Sequence, residues 1–183
     1  LPYIALKNFR YQPSVLWRKK FHRESDQNCA ILRHELLMLG VSGMIVREVH
    51  LFHVCMPLLE PWVTAYGSQD SIESLFVNLK FDSGDGWGEC APAPLPLYNS
   101  EYTKGAFAAA HDVFAAQIVG KEISSADQLQ SLFREFKGHE FTRSAFDSAW
   151  WDAHALECGK PLWSLIGGVN QTVAVGADIP VLS

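Results

Sequence analysis

The sequence lacks the features that mark several large classes of protein. No stretch approaches the roughly eighteen consecutive apolar residues of a membrane-spanning helix, and there is no internal repeat or low-complexity segment. Four cysteines are scattered along 183 residues without a C-x-x-C pair, which argues against a zinc site and against a disulfide framework. We therefore expect reduced thiols, a cytoplasmic protein and no membrane partner.

Motifs for nucleotide binding and serine hydrolysis are also absent. The sequence has no G-x-S-x-G, no Walker loop and no G-x-G-x-x-G after a strand. It is also shorter than the roughly 250 residues of a complete β/α barrel. Its hydrophobic fraction of 48% and charged fraction of 19% are those of a folded globular protein. One ordinary domain with a sizeable core is expected.

Charge is unevenly distributed along the chain. Residues 1–43 hold seven Lys or Arg against three Asp or Glu, whereas residues 44–183 hold eight against seventeen. An acidic main body argues against nucleic acid as a partner, because phosphate binding draws on clustered basic side chains. The basic segment 1–43 is left unassigned. It is a targeting leader, a genuine extension, or translated upstream sequence that precedes a start at Met44.

The main body opens with strand signals. Residues 45–56 are rich in β-branched and aromatic side chains, and Pro57 and Pro61 are predicted to end this strand. Residues 73–81 alternate in hydrophobicity, and a Gly- and Asp-rich turn leads from them into a short third strand at 87–90. The pattern predicts an antiparallel meander. The core face of the second strand is predicted to comprise Leu75, Val77, Leu79 and Phe81.

Helical periodicity follows the strands. A first helix is predicted over 100–119, with Phe107, Ala110, Phe114 and Ile118 forming its buried stripe. A second helix is predicted to begin at an approximate capping box of Ser124 and Asp127 and to end at Gly138. The core face predicted for this second helix comprises Leu129, Leu132, Phe133 and Phe136.

A third helix is predicted over 141–157, ending at Gly159. Its predicted buried face, made mostly of small residues, comprises Ala145, Ala149, Ala153 and Leu156. A short helical piece at 162–166 and an apolar strand at 172–179 without a partner complete the pattern. The predicted class is α+β, with a three-stranded antiparallel meander packed on a helical bundle.

Acidic and histidine side chains give little sign of a catalytic or metal centre. Glu89 is an isolated acid, and a structural role is favoured over a catalytic one. Asp147 and Asp152 lie about 140° apart around a helix, so they are not expected to share an ion. His50 and His53 are predicted to point to opposite faces of a strand, which disfavours a metal site.

Three aromatic or apolar segments remain. The pair at 150–151, Trp-Trp, is predicted to pack in the core and at a domain interface rather than to stack on a ligand. The loops 60–67 and 92–101 are apolar and aromatic where solvent-facing loops are usually polar. They either pack against another surface or hold an apolar ligand, and an interface is favoured.

Several motifs in fixed order resemble the N-terminal capping domain of the enolase superfamily. They are Gly-Trp-Gly-Glu-Cys at 86–90, Ala-Phe-Asp-Ser-Ala-Trp-Trp-Asp-Ala at 145–153 and the run from Gly159 to Gly168. The resemblance implies a capping domain over 44–168 and the first strand of a truncated barrel over 169–183. Because the family's own first strand begins at Met44, the resemblance also favours the reading of 1–43 as translated upstream sequence that is not native.

Within the superfamily, Pro-Trp-Val-Thr-Ala-Tyr-Gly at 61–67 and Pro-Leu-Tyr at 96–98 followed by Glu101 look most like o-succinylbenzoate synthases and N-acylamino-acid racemases. In those enzymes the two loops cover the mouth of the barrel. The resemblance therefore implies that Thr64, Tyr66 and Tyr98 bind a small carboxylate substrate. Muconate cycloisomerases and dipeptide epimerases are the alternative relatives.

The implied chemistry is abstraction of a proton α to a carboxylate, with Mg²⁺ holding the enediolate and lysines as acid and base. In the family these groups lie on later barrel strands, so the chain as given is expected to hold no catalytic or metal-binding residue and to be inactive. The implied partners are the missing barrel domain and, in the complete protein, further copies of itself. A non-catalytic binding module is the alternative of a different class.

Overall fold

An antiparallel sheet forms one layer of the structure. The structure is a computed structural model that describes residues 10–11, 15–18, 43–65, 67–169, 172 and 174–176. Its strands are β1 (Arg10–Tyr11), β2 (Val15–Arg18), β3 (Met44–Ile45), β4 (Glu48–Thr64), β5 (Gly67–Phe81), β6 (Gly84–Cys90) and β7 (Glu122–Ile123). β4, β5 and β6 pair in chain order, which confirms the predicted meander.

Further strands pair with this meander and beside it. β1 and β2 lie antiparallel to β4 on the edge opposite β5, with Val15 against Leu51 and Arg18 against Glu48. β3 and β7 form a separate two-stranded ladder. The pairing of β1 and β2 was not predicted, because the sequence of segment 1–43 gave no strand signal.

The prediction that Pro57 and Pro61 end the first strand is wrong. β4 continues through both prolines to Thr64, and its register against β5 shifts between Pro57 and Trp62. Proline lacks the amide donor that a central strand needs, but it is tolerated on an edge or at a bulge. Among the described strands, only β5 pairs with this part of β4, so the prolines fit. The two strands together make a long hairpin.

Helices form the second layer. They are α1 (Thr103–Ala109), a π-helical segment (Ala110–Phe114), α2 (Ala115–Ile118), α3 (Ala126–Leu132), α4 (Glu140–Cys158) and α5 (Leu162–Leu165). The predicted first helix is therefore present but contains a π-helical segment. Its predicted residues Ala110, Phe114 and Ile118 are fully buried. None of the helices in the described ranges has both the length and the apolar character needed to cross a bilayer.

The cap of α3 lies one residue later than predicted. Ser125 is the N-cap, and its Oγ accepts a hydrogen bond from the amide of Gln128 at 3.1 Å. The amide Oε1 of Gln128 in turn accepts from the backbone amide of Ser124 at 2.8 Å. Gln128, rather than Asp127, therefore supplies the returning acceptor of a capping-box arrangement. Leu129 of α3 and Phe133, its C-cap residue, are fully buried as predicted, but the helix ends at Leu132 and not at Gly138.

α4 is the longest helix, and its small-residue face is buried as predicted at Ala145, Ala149 and Ala153. The helix ends at Gly159 in a left-handed conformation with φ of 60°. The predicted burial of Leu156 is wrong, because its side chain is 68% exposed. Leu156 lies in the last turn of α4, three residues beyond Ala153, which meets Gly86 of β6.

The contact between β6 and α4 brings two backbones together. A Cβ atom built on Gly88 would collide with the carbonyl oxygen of Ala145 and lie 2.8 Å from the amide nitrogen of Ala149. A Cβ atom on Gly86 would collide with the carbonyl oxygen of Ala149 and lie 2.8 Å from the Cβ of Ala153. Glycine is therefore required at both strand positions by the closeness of the helix.

The two ends of the sequence lie largely outside the described residues. The apolar-periodic stretch 30–39 falls there entirely. The strand predicted over 172–179 also falls mostly there, and its described residues, 172 and 174–176, belong to no strand. The boundaries predicted at 43 and 168 stay predictions.

We expect the substitution Gly88→Ala to lower the free energy of unfolding by about 1–3 kcal/mol or more, because an added methyl overpacks a backbone contact. The matched control is Gly176→Ala, where an added Cβ meets nothing within 4 Å and the change should stay within about 0.5 kcal/mol. Urea unfolding followed by circular dichroism measures both. A Gly88→Ala variant as stable as the control would show that β6 and α4 are not in contact.

Candidate functional site

The outer half of the β4–β5 hairpin projects from the sheet. Residues 59–65 and 67–70 are all exposed, and Val63, near the tip, is 77% exposed. Thr64 pairs with Gly67 at the end of the ladder, and its Oγ1 donates to the Gly67 carbonyl oxygen at 3.3 Å. We call residues 60–67 the hairpin tip. It presents Trp62 and Val63 to solvent, where monomeric proteins usually place polar side chains.

A second exposed apolar segment follows β6. We call residues 91–100 the Tyr98 loop, and its exposed apolar side chains include Leu95, Leu97 and Tyr98. Tyr98 is 71% exposed. The loop has little regular structure, but its backbone turns back on itself through a hydrogen bond from the Leu97 amide to the Leu95 carbonyl at 2.8 Å.

A pocket of about 200 Å³ lies between residues 69–73 of β5 and the Tyr98 loop. Tyr98 lines one side, and Phe141 lies at the start of α4. The other lining residues are Gln69, Ile72, Glu73, Ala91, Pro92, Ala93 and Pro94. The volume is below that of most small-molecule sites. The pocket therefore fits part of a ligand, or one end of a site that another surface completes.

Hydrogen bonds close the base of the Tyr98 loop. The carbonyl oxygen of Ala93 accepts from the amide of Thr103 at 2.9 Å and from its hydroxyl at 3.0 Å. The side-chain Nδ2 of Asn99 donates to the Pro92 carbonyl at 3.3 Å, and the side-chain Oδ1 of Asn99 accepts from the backbone amide of Glu101 at 2.7 Å. The loop therefore leaves and re-enters the fold at fixed points.

The three residues predicted to bind substrate are placed differently. Tyr98 lines the pocket. Thr64 is two residue pairs beyond Gln69 along the hairpin, a distance of about 7 Å, and it is not among the pocket's lining residues. Tyr66 lies outside the described residues. Substrate contact by all three stays a prediction.

The isolated carboxylates have structural partners. Glu89 accepts a hydrogen bond from Ser74 Oγ at 2.7 Å, and Asp147 accepts from Gln130 Nε2 at 3.1 Å. Asp152 accepts from the backbone amide of Trp87 at 2.9 Å, which joins α4 to β6 a second time. These contacts agree with the structural roles predicted for the acids, although the partners differ from the loop amides or arginine expected for Glu89.

The histidines on β4 are paired separately. His50 Nε2 lies 2.8 Å from Glu48, and His53 Nε2 lies 2.9 Å from Glu73. Within the described ranges, no three His, Cys, Asp or Glu side chains converge on a point where they could hold a metal ion. The described residues therefore do not provide a Mg²⁺ ligand set.

Trp150 is a core residue, as predicted. Its side chain is buried, its Nε1 donates to the Ile123 carbonyl at 3.4 Å, and the His154 ring stacks on it at 4.8 Å. Trp151 is half-buried and meets Trp150 edge to face. Neither ring is among the residues that line the pocket.

Glu101 has a role that the sequence did not indicate. Its carboxylate accepts hydrogen bonds from the backbone amides of Phe141 at 2.8 Å and Thr142 at 3.1 Å, and from Thr142 Oγ1 at 2.9 Å. It therefore caps α4 from forty residues away. Helix capping by a distant residue leaves no local sequence signal. The sequence pointed to Glu101 only as the acid that follows the Pro-Leu-Tyr motif at 96–98.

The thiol of Cys90 lies beside this carboxylate. Burial, with a smaller contribution from the charge of Glu101, raises the pKa of Cys90 from about 9.0 to about 12. Cys158, by contrast, is exposed at the end of α4. Cys90 is therefore a packed, protonated thiol rather than a reactive one.

Comparisons with known proteins agree with this architecture. Residues 46–167 match the sequence profile of the mandelate racemase / muconate lactonizing enzyme N-terminal domain. An N-succinylamino acid racemase of Amycolatopsis sp. is 32% identical, over 79% of this chain and 38% of the relative. An o-succinylbenzoate synthase of Listeria innocua is 29% identical, over 74% of this chain and 37% of the relative. The chain thus spans less than two fifths of either relative's length.

Solved structures give the same result. An enolase-superfamily member from Listeria innocua aligns with a TM-score of 0.68 and 29% identity, over 73% of this chain and 36% of that one. The L-Ala-D/L-Glu epimerase of Bacillus subtilis, in a substrate-liganded complex, aligns with a TM-score of 0.62 and 26% identity, over 68% and 35% respectively. The fold is therefore shared with complete enzymes about three times as long as the matched region.

We expect iodoacetamide at pH 8 to modify Cys158 in the native protein and to spare Cys90. A pKa near 12 leaves the thiolate of Cys90 roughly a thousandfold scarcer than that of a thiol with a pKa near 9. Peptide mass mapping locates the label, and the chain unfolded in guanidinium is the control, in which both sites should react. Rapid native labelling of Cys90 would contradict its burial.

Proposed function

Because the chain belongs to the mandelate racemase / muconate lactonizing enzyme family, whose N-terminal domain it carries, we propose that it caps the barrel of a Mg²⁺-dependent enzyme that abstracts a proton α to a carboxylate. N-acylamino-acid racemisation and o-succinylbenzoate synthesis by dehydration are the proposed reactions. The names of the relatives from Amycolatopsis and Listeria support this choice. If the second reaction is correct, the protein belongs to menaquinone biosynthesis.

One observation of the structure carries the proposal. The Tyr98 loop and residues 69–73 of β5 line a largely apolar pocket, and the hairpin tip extends beyond it. A pocket this small, with apolar rims left in solvent, fits one wall of a site whose other wall is a second domain. Thr64, Tyr66 and Tyr98 are the proposed substrate contacts on this wall.

The catalytic lysines and the metal ligands are assigned in this proposal to a barrel domain outside the described residues. The proposed partners are that barrel, a small carboxylate substrate and, in the complete protein, further copies of the chain. The chain alone is proposed to be inactive. A cytoplasmic location is part of the proposal, supported by the absence of a disulfide between the three cysteines in the described region.

A dipeptide epimerase is the second candidate. The likeness to the L-Ala-D/L-Glu epimerase of Bacillus subtilis extends to both sequence and fold. The candidate reactions share proton abstraction next to a carboxylate and differ in the groups that surround it. Loops that touch those groups discriminate between substrates by differential transition-state binding, so the residues of the Tyr98 loop matter under either reaction.

A chimera tests the proposal directly. Residues 44–168 replace the corresponding N-terminal domain of the Amycolatopsis racemase, and the folded product is assayed for racemisation of an N-succinylamino acid, formation of o-succinylbenzoate and epimerisation of L-Ala-L-Glu. We expect turnover in at least one assay and a loss of about tenfold or more in kcat/KM for Tyr98→Ala, the scale of a lost pocket contact.

The matched control is Trp87→Ala. Trp87 is also an exposed aromatic residue, but it lies between Gly86 and Gly88 on the sheet face opposite α4. Its removal should leave kcat/KM within about twofold, as for a surface residue without substrate contact. A folded chimera that is inactive in all three assays, or a Tyr98→Ala chimera as active as the control, would contradict the proposal.

A further inference from the structure

The N-terminus of α4 has an unusual local structure. Gly138 and His139 both adopt left-handed backbone conformations, with φ of 71° and 61°, and His139 is the N-cap residue. Its side chain makes no capping hydrogen bond. The amides of a first helical turn need acceptors, which a local Ser, Thr, Asp or Asn usually supplies.

Glu101 supplies these acceptors from another part of the chain. Its two carboxylate oxygens take the amides of Phe141 and Thr142, the second and third residues of α4, together with the Thr142 hydroxyl. Glu101 and Thr142 are both buried. A carboxylate at a helix N-terminus also interacts favourably with the helix dipole, and removing a buried acceptor leaves its donors unsatisfied.

The same residue closes the Tyr98 loop. The Glu101 amide donates to Asn99 Oδ1, and two residues later Thr103 holds the Ala93 carbonyl. Ala93 has a φ of 89°, which is costly for a residue other than glycine. Such a conformation persists only where the surrounding contacts determine it. The loop is therefore held at both ends, and one end is anchored to α4 through Glu101.

We infer that Glu101 is a positioning residue, which fixes the Tyr98 loop in one conformation by joining it to the first turn of α4. The consequence is a preorganised wall. Leu95, Leu97 and Tyr98 are already held in place before a ligand binds. Binding therefore does not have to order the loop, which reduces the entropic cost of recognition. Only the substrate contact of Tyr98 rests on the proposed function. The hydrogen bonds that anchor the loop through Glu101 do not depend on any substrate.

Hydrogen exchange in the 183-residue chain tests the anchor without substrate. The amides of Leu97, residue 101 and Thr103 donate hydrogen bonds within or beside the loop, so they report on its opening. In Glu101→Gln, which keeps the size but loses the charge and one acceptor, we expect these amides to exchange about tenfold faster, while the amides of β5 exchange nearly as in the wild type.

Two variants of Thr142 separate anchoring from packing. Thr142→Val keeps the shape and removes the hydroxyl donor, so exchange in the loop should rise several-fold. Thr142→Ser keeps the donor and should restore slow exchange in the loop despite the lost methyl. Ile118→Val is the control for general destabilisation, because Ile118 is buried in α2 about 22 Å along the helix from Thr103.

The inference is overturned if the loop amides of Glu101→Gln exchange as in the wild type, or no faster than in Ile118→Val at equal global stability. It is also overturned if Thr142→Val and Thr142→Ser behave alike. Neither result would bear on the proposed reaction, which the chimera tests through turnover. An inactive chimera with a normally anchored loop would remove the proposed function and leave the anchor in place.

Discussion

The backbone contact between β6 and α4 is the constraint on which the rest of the structure depends. Gly86 and Gly88 present no side chain toward the helix, and Ala145, Ala149 and Ala153 present only methyl groups. The two elements therefore approach until main-chain atoms meet. Asp152 adds a hydrogen bond to the Trp87 amide between the glycines. Strand and helix are held in one register, as closely packed protein interiors require.

This register positions the candidate site. β6 ends at Cys90 and leads directly into the Tyr98 loop, while α4 begins at Glu140, where Glu101 returns from that loop to cap it. The Tyr98 loop is thus attached to the end of β6 on one side and to the start of α4 on the other. The β6–α4 contact fixes the positions of these two attachment points. Cys90 is buried beside Glu101, at the place where the end of β6 meets the start of α4. Loops that carry function are often positioned in this way by a rigid scaffold.

Much of the fold was predictable because its signals are local. Alternating hydrophobicity gave the meander, and helical periodicity with Gly159 gave α4 and its end. The prediction failed where a neighbour decides the outcome. Pro57 and Pro61 are tolerated because, among the described strands, only β5 pairs with the part of β4 that they occupy. Ser125 rather than Ser124 caps α3, and Gln128 bonds to both serines, a pairing that a search for an acid three residues after Ser124 does not find.

The candidate site was predictable only in outline. The apolar loops stood out by composition, and Tyr98 lines the pocket, but Gln69, Ile72 and Phe141 reach it through tertiary packing that no local pattern encodes. The capping role of Glu101 spans forty residues and is equally invisible in the sequence. Resemblance to known enzymes pointed to these loops, whereas the contacts that hold the Tyr98 loop in place came from the structure.

Native-state hydrogen exchange of β6 and α4 tests most directly whether their contact holds the domain together. If it does, the amides of Trp87, Gly88 and the middle turns of α4 open with one free energy and one denaturant dependence, equal to those of global unfolding. The account would be contradicted if the β6 amides opened at a distinctly lower free energy while those of α4 stayed protected.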